Sequence, residues 1–487
     1  MNFGLGVVRN KVLALILGPG GVGLLGVYGS VQDLMRSVAG LGINTSGVRQ
    51  IAEAVGTGDE QRIARTVTIL RRVAFCSGVL GALLLLILSK PVSWLTFKDY
   101  QHAGAVALLA LAIFFGDVSQ GQAALVQGMR RIADLARMSV LGALYGTLFS
   151  IVIIYYYYRQ GAAEKGVVPS LVCVAGMSIL TSWWYARKIK VKTKSLSLRQ
   201  MYDETSALLK LGIVFMATGL MGFGSAYLVR VLILHRLDLQ AAGFYQSAWM
   251  VGGYYITFIL QAMGTDFYPR LTAVARNHAE CNRLVNEQTE VGLLLAGPGV
   301  IATLIFAPLV IQLFYSAKFW PAAELLRWFC LGMMLRVADW PMGYVLVARG
   351  DGKLFFLVEF LSNALFMGLV WVGLHAFGLN GTGMAFVALY LLHIIGMYWI
   401  TRRLTGFRWS AANRWLLVLL TPLVAAAFVS RYLLAPPIAM ICGALLTVLT
   451  GIYSLKKVYS LVPPERLPGM VRKIITFFRL VPPQTGN

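Results

Sequence analysis

Long apolar runs, each about as wide as a bilayer and separated by short polar stretches, recur from one end of the chain to the other. At about 1.5 Å rise per residue, a hydrocarbon core of roughly 30 Å needs about 20 apolar residues in helical form. The pattern predicts such helices near 22–47, 73–96, 103–128, 134–158, 166–186, 211–234, 241–265, 291–315, 322–348, 354–377, 380–400, 412–433 and 436–455. Residues 1–17 form a shorter run that contains Arg9 and Lys11, and we count it as the first helix. The alternative for that stretch is a cleaved signal peptide. A signal peptide places its positive residues ahead of the apolar run and ends on a small-residue cleavage site, and this stretch does neither. The expected fold class is therefore all-α, a polytopic membrane protein of about 14 transmembrane helices.

Composition agrees: 58% of the 487 residues are hydrophobic and 13% charged, with a mean hydropathy of +0.71. Soluble domains carry roughly 25% charged residues. The net charge of +23 would suit nucleic acid, so the placement of the charges matters more than their sum. With the chain starting inside, the segments 48–72, 129–137, 187–210, 266–290, 349–353, 402–414 and 456–487 face the cytoplasm. They hold 30 of the 43 Lys and Arg, against seven on the other face (Lys90, Lys98, Arg159, Lys165, Arg236, Lys318 and Arg431). This is the positive-inside bias of a protein with both termini in the cytoplasm, and it removes the need for a nucleic-acid partner. Cys76, Cys173, Cys281, Cys330 and Cys442 are scattered, without C-x-x-C or clustered His, and read as buried apolar thiols. No metal or cofactor is expected. Tyr155 to Tyr158, Trp183, Trp184, Tyr398 and Trp399 fall at span ends and read as headgroup-level anchors.

Self-comparison exposes a repeat. Gly26-Val-Tyr28-Gly-Ser30 corresponds to Gly243-Phe-Tyr245-Gln-Ser247, with Arg9 and Arg230 upstream and Arg49 and Arg270 downstream. The spacing of about 220 residues continues: Val126-Gln-Gly128 matches Ala348-Arg-Gly350, and Trp184-Tyr-Ala-Arg187-Lys188 matches Trp399-Ile-Thr-Arg402-Arg403. Six spans match six, so the halves run the same way through the membrane and are related by an axis along its normal. The expected organisation is a six-helix lobe over 1–190, a cytoplasmic linker over 191–210, a second six-helix lobe over 211–403, and two extra helices with a basic tail over 404–487. In that tail Arg466, Arg472, Lys473 and Arg479 interleave with Ile474, Ile475, Phe477 and Phe478, the pattern of an amphipathic surface helix, with disorder as the alternative.

Three stretches carry a family likeness: Leu17-Gly-Pro-Gly-Gly-Val-Gly-Leu-Leu-Gly26, the Gly-Leu-Gly-Ile-Asn44 exit of the second helix, and the Gly-Leu-Asn380-Gly-Thr-Gly383 start of the twelfth. With the helix count, the two-lobe repeat and the appended pair, the chain resembles polysaccharide or O-antigen flippases of the MATE-like superfamily. The resemblance implies translocation of an undecaprenyl-diphosphate-linked saccharide across the bacterial inner membrane by alternating access. It implies membrane lipid, a polymerase and glycosyltransferases of the same pathway as partners. The short first helix departs from the family pattern, which puts the start site and any role of Arg9 in question.

An arginine in the membrane usually faces a cavity or a partner. Guanidinium binds phosphate oxygens bidentately and keeps its proton, which suits a diphosphate headgroup. Arg36 and Arg336 fall near span centres, Arg230 and Arg327 nearer the periplasmic side, and Arg9 is the repeat equivalent of Arg230; these five are the substrate-binding candidates. The competing reading is local neutralisation, because Asp33 and Arg36, like Arg336 and Asp339, are three residues apart on one helix face. Arg230 is the least compensated locally. Arg49 and Arg270 sit at the inner mouth, where topological anchoring competes with headgroup capture. For ion coupling the candidates are Asp33 and Asp339, with Asp117, Asp266 and Glu359 behind them, and His393, which titrates near neutrality. Asn44, Gln246 and Asn363 either bond sugar hydroxyls or hold helices together.

Gly18-Pro-Gly20-Gly-Val-Gly23 fits the dinucleotide fingerprint G-x-G-x-x-G. That fingerprint has meaning only between the strand and helix of a soluble unit, and here it joins two membrane helices as a tight turn. A polymerase or glycosyltransferase would need a substantial loop or soluble domain to carry its chemistry, and no periplasmic connection is long enough. There is no Walker motif for direct ATP drive. The remaining alternative is an ion-coupled multidrug or cation exporter of the same fold, which predicts a cavity of carboxylates and aromatics rather than arginines.

Overall fold

The computed structural model describes residues 2–189 and 198–461. The basic tail around Arg466 to Arg479 and residues 191–197 of the stretch expected as a linker lie outside the described residues, whereas 198–210, also expected as linker, are the first turns of a helix that continues into the next span. The described chain is helical: α1 Asn2–Ala39, α2 Ile43–Gly56, α3 Glu60–Phe97, α4 Ala103–Gly128, α5 Ile132–Arg159, α6 Val167–Ala186, α7 Leu198–Arg236, α8 Leu239–Ala273, α9 His278–Ile305, α10 Ala307–Phe314, α11 Ala322–Ala348, α12 Gly352–Phe377, α13 Asn380–Thr405, α14 Ala411–Leu433 and α15 Pro436–Leu461. Among the described residues, eleven helices are long and apolar enough to cross a membrane. α8 and α11, of 35 and 27 residues, have the length but are interrupted by polar side chains.

α1 is two helices in one. Its 38 residues would reach about 57 Å, nearly twice the hydrocarbon thickness, if they ran straight. They do not. Gly18 takes φ 66° and ψ −172°, and Pro19, whose missing N–H costs nothing in a first helical turn, opens the second leg. The bend brings Leu17 Cβ to 2.6 Å from where a Cβ on Gly21 would lie. With α1 divided at this point, the chain is a polytopic membrane protein of about 14 crossings, and the glycine run is the expected turn.

Several predicted boundaries shift. The second span was expected to run to residue 47, but the chain leaves the helix at Ala39 and turns through Leu41 and Gly42, both at positive φ. α2 is then a separate amphipathic helix that buries Ile43, Ile51 and Ala54 and leaves Arg49 and Glu53 in the open. α3 and α9 begin well before their apolar stretches, at Glu60 and His278 rather than near 73 and 291. Asp59 accepts from the N–H groups of Gln61 and Arg62 (2.8 and 3.2 Å), and Asn277 accepts from that of Glu280 (3.2 Å). A side-chain cap satisfies first-turn donors that would otherwise be orphaned, so the helix starts at the cap and projects beyond the apolar zone. The two caps occupy equivalent places in the repeat. Finally, α9 stops at Ile305, and α10 restarts with Pro308 in its first turn, where proline is tolerated.

Packing divides the chain into two compact units, 1–246 with 314–318 and 247–313 with 319–487. In the first, α3, α4 and α6 pack side by side and α7 lies along α1. Its core gathers Tyr28, Val31, Leu85, Leu109 and Ile113. At one end Gly23 and Gly243 meet backbone to backbone: a Cβ on Gly23 would lie 2.1 Å from the Leu239 carbonyl oxygen, and one on Gly243 would lie 1.9 Å from that of Pro19. Lipid tails are as apolar as leucine, so such close van der Waals approach is what holds membrane helices together.

In the second unit α9, α11 and α13 form the centre, and the two helices after the repeat, α14 and α15, both lie against α9. Asn413 on α14 donates to the Asn286 carbonyl and side-chain oxygens (2.9 Å each), and Lys457 on α15 faces Glu290 at 3.8 Å. At the far end of α14, Arg431 and Tyr432 both engage Glu324 of α11. Two bland expectations need correction. Cys76 and Cys442 are exposed on the apolar surface rather than buried, and Tyr398 turns inward onto Phe407, while Tyr155, Tyr156, Tyr158, Trp183, Trp184 and Trp399 face outward as anchors do.

Candidate functional site: two buried acid clusters, one in each unit

In the first unit the chemistry gathers between α1, α4 and α7. The helical neighbour Asp33 was the expected partner of Arg36, but the guanidinium turns to Asp117 on α4, with Nε 3.6 Å from Oδ1. It lies flat over Gly116, where a Cβ would stand 2.7 Å from Cζ. Asp117 is 4% exposed, and among the described residues neither of its carboxylate oxygens has a hydrogen-bond partner, so the ion pair with Arg36 offsets its burial. Asp33 remains accessible within electrostatic range of both Arg36 and Arg230.

Arg230 is fully engaged. Its Nε and Nη2 donate to Gln246 Oε1 (3.1 and 2.7 Å), Nη1 donates to the Ala226 carbonyl (2.7 Å), and the Tyr245 ring lies 5.5 Å away. The arginine that local sequence leaves least compensated is thus satisfied by a residue 16 positions further along, on the next helix. Gln246 holds helices together here. Arg9 is half-buried on the first leg of α1.

The second cluster lies among α11, α12 and α13. Asp339, also 4% exposed, stands eleven residues ahead of Gly350, just as Asp117 stands eleven ahead of Gly128, so the two acids are repeat equivalents. Asp339 does not neutralise Arg336, as the three-residue spacing suggested. Its Oδ2 accepts from His393 Nδ1 at 2.7 Å, and its buried Oδ1 has no hydrogen-bond partner. Glu359 was expected near a membrane flank, yet it comes within electrostatic range of His393, Arg336 and Asp339. Among the described residues Arg336 has no carboxylate within 4.0 Å. Its Nη1 has only the Met333 sulfur, at 4.0 Å. It is a half-buried cation in a membrane helix, within electrostatic range of Glu359.

The other candidates serve the frame. Arg327 is buried, donating from Nε to the Leu304 carbonyl (3.0 Å) and from Nη1 to Glu324 (3.2 Å), which fastens α11 to α9. Arg49 pairs with Glu53 at 2.7 Å and Arg270 with Asp266 at 3.0 Å, each an exposed pair within one helix. Asn44 is exposed, and Asn363 donates to the Glu359 carbonyl at 2.8 Å. Sequence reasoning missed Glu324, Tyr245 and Tyr390. The first is three residues before Arg327 and the last three before His393, so helical spacing alone would have found both. Tyr245 stands inside the repeat motif.

A family model described as "Polysaccharide biosynthesis protein" matches residues 12–324. A lipid III flippase of Escherichia coli (strain K12) is 24% identical over 417 residues, covering 83% of this chain and 96% of that one; its Shigella flexneri counterpart matches to the same extent. Among solved structures, an inward-facing MATE family multidrug resistance transporter of the MOP superfamily superposes with a TM-score of 0.68 at 15% identity, over 83% of this chain and 95% of that one. A lipid II flippase in an inward closed conformation superposes with a TM-score of 0.63 at 12% identity, over 94% and 97%. The helical repeat, the appended pair and the polar clusters inside the bundles thus stand on the fold of the MOP superfamily transporters, and the chain belongs to the polysaccharide biosynthesis protein family.

Proposed function

We propose that this protein is a flippase that moves an undecaprenyl-diphosphate-linked oligosaccharide, an O-antigen or exopolysaccharide repeat unit, across the bacterial inner membrane by alternating access. Arg336 carries the reading: a permanent cation in a membrane helix with no carboxylate contact among the described residues is suited to a diphosphate. Arg36 is the counterpart in the first half, and its pairing with Asp117 gives it a resting partner that a diphosphate displaces. The lipid III flippase relative, aligned along 96% of its own length, supports the same class of cargo. The charge bias supports an orientation with both termini in the cytoplasm, where glycosyltransferases load the lipid; a polymerase consumes it on the other side. Asp339 and His393 form the titratable pair through which an ion gradient biases the cycle.

The test is deletion followed by analysis of lipid-linked intermediates. We expect one saccharide-bearing intermediate to accumulate on the cytoplasmic face, with Arg336→Lys restoring part of the flux and Arg336→Ala restoring almost none. A strain that accumulates no such lipid while becoming sensitive to cationic drugs would mark the protein as a multidrug exporter instead.

A further inference from the structure

Outside the polar clusters, the first unit has a notch of about 290 Å³ between α3, α4 and α6 that opens on the surface. Arg71, Arg187, Gln122, Trp183 and Phe75 line it. The two guanidiniums come from different helices, and each is held in place. Arg71 Nη2 donates to the Ala186 carbonyl in the last turn of α6 (3.2 Å), and Arg187 lies 3.5 Å over the Trp184 ring and 4.9 Å from that of Trp183. At the base, Gln122 Oε1 accepts from Ser182 (2.5 Å), which fixes the side-chain amide and turns its NH₂ away from that bond. Gly121 meets Ala74 so closely that a Cβ there would be 2.4 Å from the alanine methyl, and this small-on-small contact joins the floor. Among the described residues, no acid lines the notch.

The surroundings identify the solvent. Phe75 and Leu86, eleven residues apart on one face of α3, are 53% and 46% exposed, and Leu180, one turn before Trp183 on α6, is 57% exposed, so bare hydrocarbon runs away from the notch. Trp183 and Trp184 sit at its polar end, where indoles occupy the headgroup layer. Two oriented guanidiniums beside an amide, with an apolar track leading away, match a phosphodiester with acyl chains. The volume lies at the small end of ligand pockets, enough for a phosphate and its glycerol arm rather than for an attached oligosaccharide. We propose that this notch binds the headgroup of an anionic glycerophospholipid from the surrounding bilayer. The site does not depend on the flippase reading.

The full-length protein, purified in a mild detergent and titrated with phosphatidylglycerol or phosphatidylcholine, is read by native mass spectrometry for retained lipid. We expect preferential retention of phosphatidylglycerol, lowered roughly 10- to 30-fold in the double variant Arg71→Gln/Arg187→Gln and largely kept in Arg71→Lys/Arg187→Lys. Gln122→Leu leaves both charges in place and should lower retention several-fold, so it decides the matter if the double glutamine variant does not fold. Equal retention of the two lipids, or unchanged retention in the glutamine or leucine variants, overturns the proposal. So does loss of undecaprenyl diphosphate binding with phosphatidylglycerol binding intact, which would give the notch to the transported lipid.

Discussion

Arg36 and Asp117 place opposite charges where little water reaches them, and removing one leaves the other stranded. Breaking a buried pair in this way typically costs about 3–5 kcal/mol, whereas removing both charges is far milder. Arg36→Gln should therefore lower the thermal stability of the purified protein markedly, and Arg36→Gln/Asp117→Asn should recover most of it without recovering flipping. A double variant that flips normally would reduce the pair to a structural clip. Arg336 behaves differently, having no ion pair among the described residues: Arg336→Gln should leave the melting temperature close to wild type and lower transport about tenfold or more. His393→Gln keeps a ring-sized hydrogen-bonding side chain beside Asp339 but removes the titratable nitrogen. It should flatten the dependence of transport on an imposed pH gradient while the protein still folds, as measured in proteoliposomes.

At this scale the sequence showed which residues were unusual but not whom they met. Arg36, Arg336, Asp33, Asp339 and His393 were all legible as charges inside apolar runs. Their partners were not, because helical spacing reports only neighbours on one helix, and both decisive acids bond across helices. Asp117 meets an arginine three helices earlier in the chain and Asp339 a histidine two helices later, and nothing within 4 positions of either predicts that.

Among the elements, the legible parts were those dictated by hydrocarbon thickness: α4 and α11 begin and end where the apolar pattern placed them. The errors came where capping and backbone chirality override hydropathy. Asp59 and Asn277 carry their helices about three turns or more beyond the apolar stretch, and Asp59→Ala and Asn277→Ala should each cost about 1 kcal/mol of stability, seen as a lower unfolding temperature with transport retained. The contact of Gly23 with Gly243 leaves no room for a side chain against carbonyl oxygens 2.1 and 1.9 Å from the new Cβ. Gly243→Leu should hold α1 and α8 apart at that end. That separation should lower the unfolding temperature of the purified variant, and a Gly243→Leu protein that melts with wild type would show that the contact adds nothing to stability.

At the scale of the whole molecule the helix count and the family were readable, because the length of an apolar run survives loss of local similarity; the repeat of about 220 residues and the one-sided distribution of Lys and Arg carry the proposed two-lobe organisation and orientation. The proposed orientation predicts that a cysteine at Gly58 is labelled by a membrane-impermeant thiol reagent only after the inner membrane is opened, and one at Gln160 in intact spheroplasts. The reverse pattern would invert the topology. The compact units divide the chain within α8 rather than in the stretch between repeats, and packing of α7 along α1 accounts for this. No pattern within either repeat announces that arrangement.

Asp117 and Asp339 descend from one position of the repeat but keep different company: a guanidinium, which holds its proton at every physiological pH, and an imidazole, which does not. Duplication has made the halves non-interchangeable. On the proposed coupling role of Asp339 and His393, a chain assembled from two copies of the first half would hold two guanidinium pairs and no imidazole pair. It would also lack the appended pair, α14 and α15, which lie against α9 in the second unit.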